Sequence, residues 1–177
     1  MVVLEIQDRK KMKKIVNVAN RLPIIIGDTI QRSSGGLVAA MESLGDQFDM
    51  RWVGWAGAHI EEPAKREALS RQIKERFNYT AIFLGADDAA GYYDGFSNAS
   101  MWPLLHYMIT YSKYDHQWYR AYKKVNRIFC EAVVKATEPG DIVWIHDYHL
   151  MLLPSMIREA GPGRQIGFFL HTPFPSS

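Results

Sequence analysis

Asp141-Ile142-Val143-Trp144-Ile145-His146-Asp147-Tyr148-His149-Leu150 decides how the rest of the chain reads. Its apolar residues run together instead of alternating with polar ones, which is the pattern of a strand covered on both faces in a parallel sheet. The run breaks into four polar or aromatic residues, His146 to His149. A helix candidate follows at Leu150–Glu159, stopped by the Gly161-Pro162-Gly163 turn, and a second apolar run comes next, Gln165–Leu170. Strand, helix and strand in that order form the crossover unit that joins parallel neighbours.

The same alternation extends upstream. Ile15–Ala19, Arg51–Trp55 and Ala81–Leu84 are rich in Val, Ile, Phe or Trp and bounded by Gly, Asp or Asn, which makes five strands with Asp141–His146 and Gln165–Leu170. All five read as buried on both faces. Between them, Gly36–Leu44 reads as a helix capped by Ser33 or Ser34 and stopped at Gly45. Glu61–Phe77 places Leu69, Ile73 and Phe77 on one stripe, and Asp115–Thr137 repeats Trp118, Tyr122, Val125, Phe129, Val133 and Ala136 at helical steps. The expected fold is therefore α/β, a parallel Rossmann-like sheet with helices on both faces.

With 47% apolar residues in 177, the chain has enough material for one globular core without disulfides or a structural metal. Its formal charge of +2 is too balanced to mark a nucleic-acid surface. Apolar runs such as Leu22–Gly27 and Gly167–Leu170 fall far short of the ~20 residues of a membrane span. The basic stretch Arg9–Lys14 reads as part of a flexible tail, residues 1–14, because Asn17, Asn20 and Arg21 interrupt the segment behind it and spoil a targeting signal. Residues 15–177 then form one domain. The single cysteine, Cys130, excludes an intrachain disulfide, reads as an inert core residue, and points with the missing export signal to a cytoplasmic setting.

Ligands of open parallel sheets lie beyond the carboxyl ends of the strands. Asn20 and Arg21, Trp55, the run His146-Asp147-Tyr148-His149, and His171 all fall there, so a binding cleft is expected on that rim. Arg21 has a planar fork suited to phosphate or carboxylate oxygens, although a surface ion pair would also satisfy it. Ser33-Ser34-Gly35-Gly36 could offer backbone N–H groups to an anion, or be only a turn. Tyr92-Tyr93-Asp94-Gly95-Phe96-Ser97-Asn98, followed by Met101-Trp102-Pro103, reads as an aromatic loop entering a helix, suited to sugar rings or to a satellite core. His146 and His149 are three apart, but no third ligand follows at a suitable spacing, so core or hydrogen-bonding roles are favoured over a metal site.

These motifs occur in a recognisable order. Asn20-Arg21-Leu22-Pro23, Gly35-Gly36-Leu37, Trp52-Val53-Gly54-Trp55-Ala56-Gly57, Tyr92 to Asn98, Trp102-Pro103-Leu104, His146 to Leu150 and Gly167 to Pro175 together resemble the N-terminal half of the trehalose-6-phosphate synthase family. The resemblance implies the N-terminal domain of a glycosyltransferase-B fold and a retaining transfer of glucose from UDP-glucose to glucose 6-phosphate, with no metal or further cofactor. By that resemblance Arg21 would hold the acceptor phosphate, with Tyr93 and Trp102 near it, and Trp55 would line the acceptor pocket. Asp147 would hold sugar hydroxyls, Gly36 would approach the donor diphosphate, and His171 would contact the transferring glucose. Asp94 stands where Asn is common in the family.

The family's C-terminal domain, which carries the nucleotide pocket, is absent from the sequence, so the expected partners are that domain or a separate chain. The isolated half is expected to be inactive. Other readings stay open: a sugar-phosphate-binding regulatory subunit, a metal-dependent hydrolase through His146 and His149, or a relative using another nucleotide donor. A bare junction face also leaves homo-oligomerisation open.

Overall fold

The computed structural model describes residues 12–33, 35–42, 45 and 47–175. Five parallel strands form one sheet in the order β5-β4-β1-β6-β7. They are β1 (Lys14–Arg21), β4 (Asp49–Trp55), β5 (Tyr79–Ile82), β6 (Ile142–His146) and β7 (Gln165–Phe169); four follow the expected apolar runs closely, while β5 starts two residues before the expected Ala81–Leu84 and leaves Phe83 and Leu84 beyond its end. Lys14 belongs to β1 and not to a tail: its ammonium pairs with Asp141 at 2.5 Å. Residues 1–11 lie outside the described residues.

A short antiparallel hairpin, β2 (Ile24–Ile26) with β3 (Ile30–Arg32), follows β1 where the sequence showed only an apolar run. Ile24 and Ile30 face the core while Ile25 is exposed, so the run is an alternating strand and not a fully buried one.

Helices cover both faces. Alternation along β1 and β4 sends Val16, Val18 and Val53 to one side and Ala19 and Trp52 to the other. The first side packs on α5 (His116–Ala136) and α6 (Leu153–Ala160). The second packs on the hairpin, on α1 (Gly36–Glu42) through Met41, and on α2 (Pro63–Phe77) through Ile73. Residues 43 and 44 and the capping candidate Ser34 lie outside the described residues. α5 carries the long stripe expected of it: Tyr122, Val125, Phe129 and Val133 are buried, and the Asp115 carboxylate accepts the Gln117 N–H at 2.6 Å to cap its start.

Two expectations are corrected. β7 is not buried on both faces: four of its five residues are exposed, because it closes the sheet as an edge strand and only its Ile166 packs against the core. The aromatic segment is not a loop. α3 (Ala86–Ala89) runs without a break into π-helical turns, Ala90–Met101, and out into α4 (Trp102–Leu105). The wide turns close with Trp102 N–H on the Ser97 carbonyl, five residues back. Gly91 and Gly95 make this packing possible, since a Cβ at Gly95 would lie 2.5 Å from the Trp118 ring of α5, and one at Gly91 2.7 Å from Ala121.

Candidate functional site

The carboxyl edge of the sheet is shaped first by Gly54. A Cβ there would come within 2.9 Å of the Ala19 carbonyl and the Leu22 amide, so only glycine lets the end of β1 cross so closely over β4. The register slips between Ala19 and Arg21, and Leu22 N–H reaches the Trp55 carbonyl at 2.9 Å. Arg21 is thereby turned onto Trp55, its guanidinium 4.6 Å from the ring centroid. Gly57, at φ +78°, leaves the space that the guanidinium fills, because a Cβ there would overlap it.

From this point the aromatic residues form a row. Trp55 meets Tyr93 edge-on at 6.0 Å, Tyr93 stacks on His149 at 5.7 Å, His149 stacks on Tyr148 at 4.1 Å, and Tyr148 lies 5.9 Å from Trp102. The π-helical segment supplies Tyr93 and is tied down at Tyr92, whose hydroxyl donates to Asn20 Oδ1 at 2.9 Å. α5 fixes the other end: the Tyr122 hydroxyl donates to the Tyr148 carbonyl at 2.6 Å and accepts the Met151 N–H, while Asn126 donates to the His149 carbonyl. Four of the predicted site residues, Arg21, Trp55, Tyr93 and Trp102, are thus joined by ring and cation contacts, with His149 and Tyr148, expected on the rim but given no place in the acceptor pocket, as the links.

Asp147 and His171 form a second group beside this row. Asp147 follows β6 at φ 75° and ψ 166°, its N–H on the Phe169 carbonyl at 2.8 Å and its carboxylate accepting the Tyr148 N–H at 3.0 Å. His171 packs edge-on against Phe169 and approaches His146, Nε2 to Nδ1, at 3.2 Å. Gly36 opens α1, whose Met41 packs with the hairpin.

Burial lowers the His146 and His149 imidazoles to about 4, so both are neutral near pH 7. The Tyr148 and Tyr92 hydroxyls are raised by the same cause and stay protonated. His146 and His149 have separate partners: the first faces Asn17 and His171, and the second lies between two tyrosine rings. Among the described residues no three His, Cys, Asp or Glu side chains gather as metal ligands, and no helix is long and apolar enough to cross a membrane. Cys130 is buried, and burial raises its thiol.

The arrangement offers a cation for an oxyanion, aromatic faces for a sugar ring, and a carboxylate and an imidazole for hydroxyls. Such groups along the carboxyl edge of a parallel sheet place the chain among the α/β proteins that bind their ligand there. The chain belongs to glycosyltransferase family 20, whose family model matches residues 12–177. It is 41% identical over 179 residues to the UDP-forming alpha,alpha-trehalose-phosphate synthase of Pichia angusta, across 92% of this chain and 37% of that protein. Among solved structures, the UDP-forming synthase of Burkholderia vietnamiensis superposes with a TM-score of 0.74 at 33% identity, over 93% of this chain and 34% of the other. The Burkholderia xenovorans synthase in complex with glucose-6-phosphate gives 0.70 at 31%, over 92% and 34%. The chain therefore spans little more than a third of the length of these relatives.

Proposed function

We propose that, in a protein of the relatives' full length, this chain binds the acceptor for a retaining transfer of glucose from UDP-glucose to glucose 6-phosphate, giving trehalose 6-phosphate and UDP. The observation that carries this reading is the Arg21 guanidinium, 4.6 Å from the Trp55 ring centroid and filling the space beside Gly57 at the head of the aromatic row. A fork held in that way meets a phosphate with little ordering left to do, and the row behind it suits the apolar face of a hexose. Tyr93 and Trp102 flank the acceptor, and Trp55 lines its pocket. Gly36, on α1, is assigned to the approach of the donor diphosphate.

In this mechanism the acceptor's anomeric hydroxyl attacks C1 of the donor glucose from the face that UDP leaves. The C1–O bond to the diphosphate breaks as the new C1–O bond forms, and the acceptor proton passes to the departing diphosphate oxygen. No side-chain nucleophile is used. Asp147 and His171 orient sugar hydroxyls and stabilise charge developing on the ring, so their contribution is positioning and electrostatics. The remaining part of the full-length protein supplies the nucleotide pocket.

Calorimetry with glucose 6-phosphate, glucose and inorganic phosphate on the full-length protein tests the acceptor site. Glucose 6-phosphate should bind most tightly, and Arg21→Ala should weaken it by about 2 kcal/mol, roughly 30-fold, by removing a charge-assisted bidentate contact. Unchanged affinity would put the phosphate elsewhere. Binding without any transfer from UDP-glucose would favour a regulatory sugar-phosphate sensor.

A further inference from the structure

His171 does not stand alone on the rim. Behind it lies His146 at the end of β6, 2% exposed, and behind His146 lies Asn17 in the middle of β1, fully buried. The three side chains form a line: Asn17 Oδ1 to His146 Nε2 at 3.3 Å, and His146 Nδ1 to His171 Nε2 at 3.2 Å. With the Asn17 amide oxygen turned to it, and an amide oxygen only accepting, His146 Nε2 carries the hydrogen. A neutral imidazole has one N–H, which leaves Nδ1 of His146 as a bare lone pair. Nothing but a donor can answer it, so His171 must present Nε2–H. The outer nitrogen of His171, Nδ1, is then an acceptor.

We infer that Asn17 and His146 are positioning residues that hold His171 in its Nε2–H tautomer, so that His171 meets a sugar as a hydrogen-bond acceptor through Nδ1. The line has the features of a built device. Asn17 occupies an inward strand position between Trp52 and Trp144 in register, where an apolar residue would be the ordinary choice. Burial keeps His146 neutral, and an imidazolium could not accept from His171. His146 also packs against the His171 and Trp144 rings, at 5.3 Å each, which fixes its plane. A free histidine at the rim would divide between two tautomers and offer a hydroxyl donor and acceptor in turn. The locked one offers a single polarity.

The inference rests on the proposal that His171 touches the sugar, but its structural part can be measured without turnover. The full-length protein is labelled with 15N-histidine, and long-range ring couplings are recorded near pH 7, with His171 assigned through His171→Gln. The expected pattern is a protonated Nε2 and a bare Nδ1 at His171. His146→Phe keeps a ring but removes the acceptor, and should give averaged tautomers. His146→Asn returns an acceptor oxygen near the place of Nδ1, and should restore the single pattern. With the lock broken, kcat for glucosyl transfer should fall, by up to about 100-fold, with the KM for glucose 6-phosphate unchanged. A protonated Nδ1 in the wild-type protein, or an unchanged pattern in a folded His146→Phe, overturns the inference. Should His146→Phe not fold, Asn17→Ala serves instead, since it frees His146 and should also average His171. Full activity with mixed tautomers would remove the lock and leave the proposed function intact. The locked pattern in a protein without transfer activity would do the reverse.

Discussion

Asp147 occupies a backbone region that is almost reserved for glycine, at φ 75° and ψ 166°. Its N–H is held by the Phe169 carbonyl across the end of the sheet, and its carboxylate takes the next N–H, so the chain turns out of β6 within one residue. Such strain is worth roughly 1–3 kcal/mol, and it persists because both neighbours dictate it. Asp147→Gly should therefore raise the stability, by about 1 kcal/mol after the added freedom of the unfolded chain is deducted, while abolishing transfer in the full-length protein. Thermal melts set beside Asp147→Ala, which keeps the strain and should melt lower, decide it. Gly57 makes the companion case at the head of the row. Gly57→Ala would force a Cβ into the Arg21 guanidinium and place alanine at φ +78°. The guanidinium, being the end of a flexible side chain, would give way and leave Trp55. Glucose 6-phosphate affinity should fall by about tenfold, on the order of one weakened charged contact, even where the fold survives. Affinity equal to wild type would show that Arg21 need not lie where the structure holds it.

Among the elements, the aromatic row depends on the turn after β6, where His149 is clamped between Tyr93 and Tyr148 and its ring nitrogens have no hydrogen-bond partner among the described residues. Its imidazole and that of His146 accept protons only near pH 4 in the folded chain, against 6.5 in the open one. Between those values the unfolded state holds more protons, so stability is complete above about pH 6.5 and drains away as the pH falls toward 4. Denaturant midpoints taken between pH 7 and 4.5 should show this fall. His149→Phe, which keeps a flat ring in the stack, should make it shallower, and an unaltered slope would mean that His149 is not a source of it. This element also marks the limit of what the sequence made legible. Apolar runs without alternation revealed the sheet, and three- and four-residue spacing revealed α5, because burial on two faces or on one stripe leaves those marks. The wide turns of Ala90–Met101 leave no such mark, since their course follows from α5 pressing Trp118 and Ala121 onto two glycines distant in sequence. His149 was weighed as a metal ligand because spacing shows which residues are near in sequence, not which rings are stacked. Arg21 and Trp55 were legible because each closes a strand at the same edge. That Gly54 and Gly57 put one on top of the other was not.

For the whole molecule, the decisive feature is an asymmetry between the two ends of the sheet. β5 is backed by α2 and α5, whereas β7 ends the sheet with Phe168 39% and Phe169 50% exposed, and Phe174 beyond them 71% exposed. An apolar run cannot reveal this from sequence, because the residues that would fill a central strand also make an adhesive edge. A strand that ends a sheet with exposed aromatic side chains is a template for pairing with another chain. The charge of +2 on 177 residues offers little repulsion to oppose it. This chain by itself should therefore associate as its concentration rises, and sedimentation velocity over a hundredfold range should show a weight-average mass that climbs. Phe168→Lys places a charge on the edge without touching the Phe169–His171 contact, and should hold the mass near that of one chain. A wild-type chain that stays single throughout would mean the edge does not adhere. A Phe168→Lys chain that still associates would direct attention to the other exposed apolar strip, Tyr107 to Tyr114, where Met108, Ile109 and Tyr111 are each more than half exposed. The two strips lie on different segments, so the variant separates association along a sheet edge from association through the stretch Tyr107 to Tyr114.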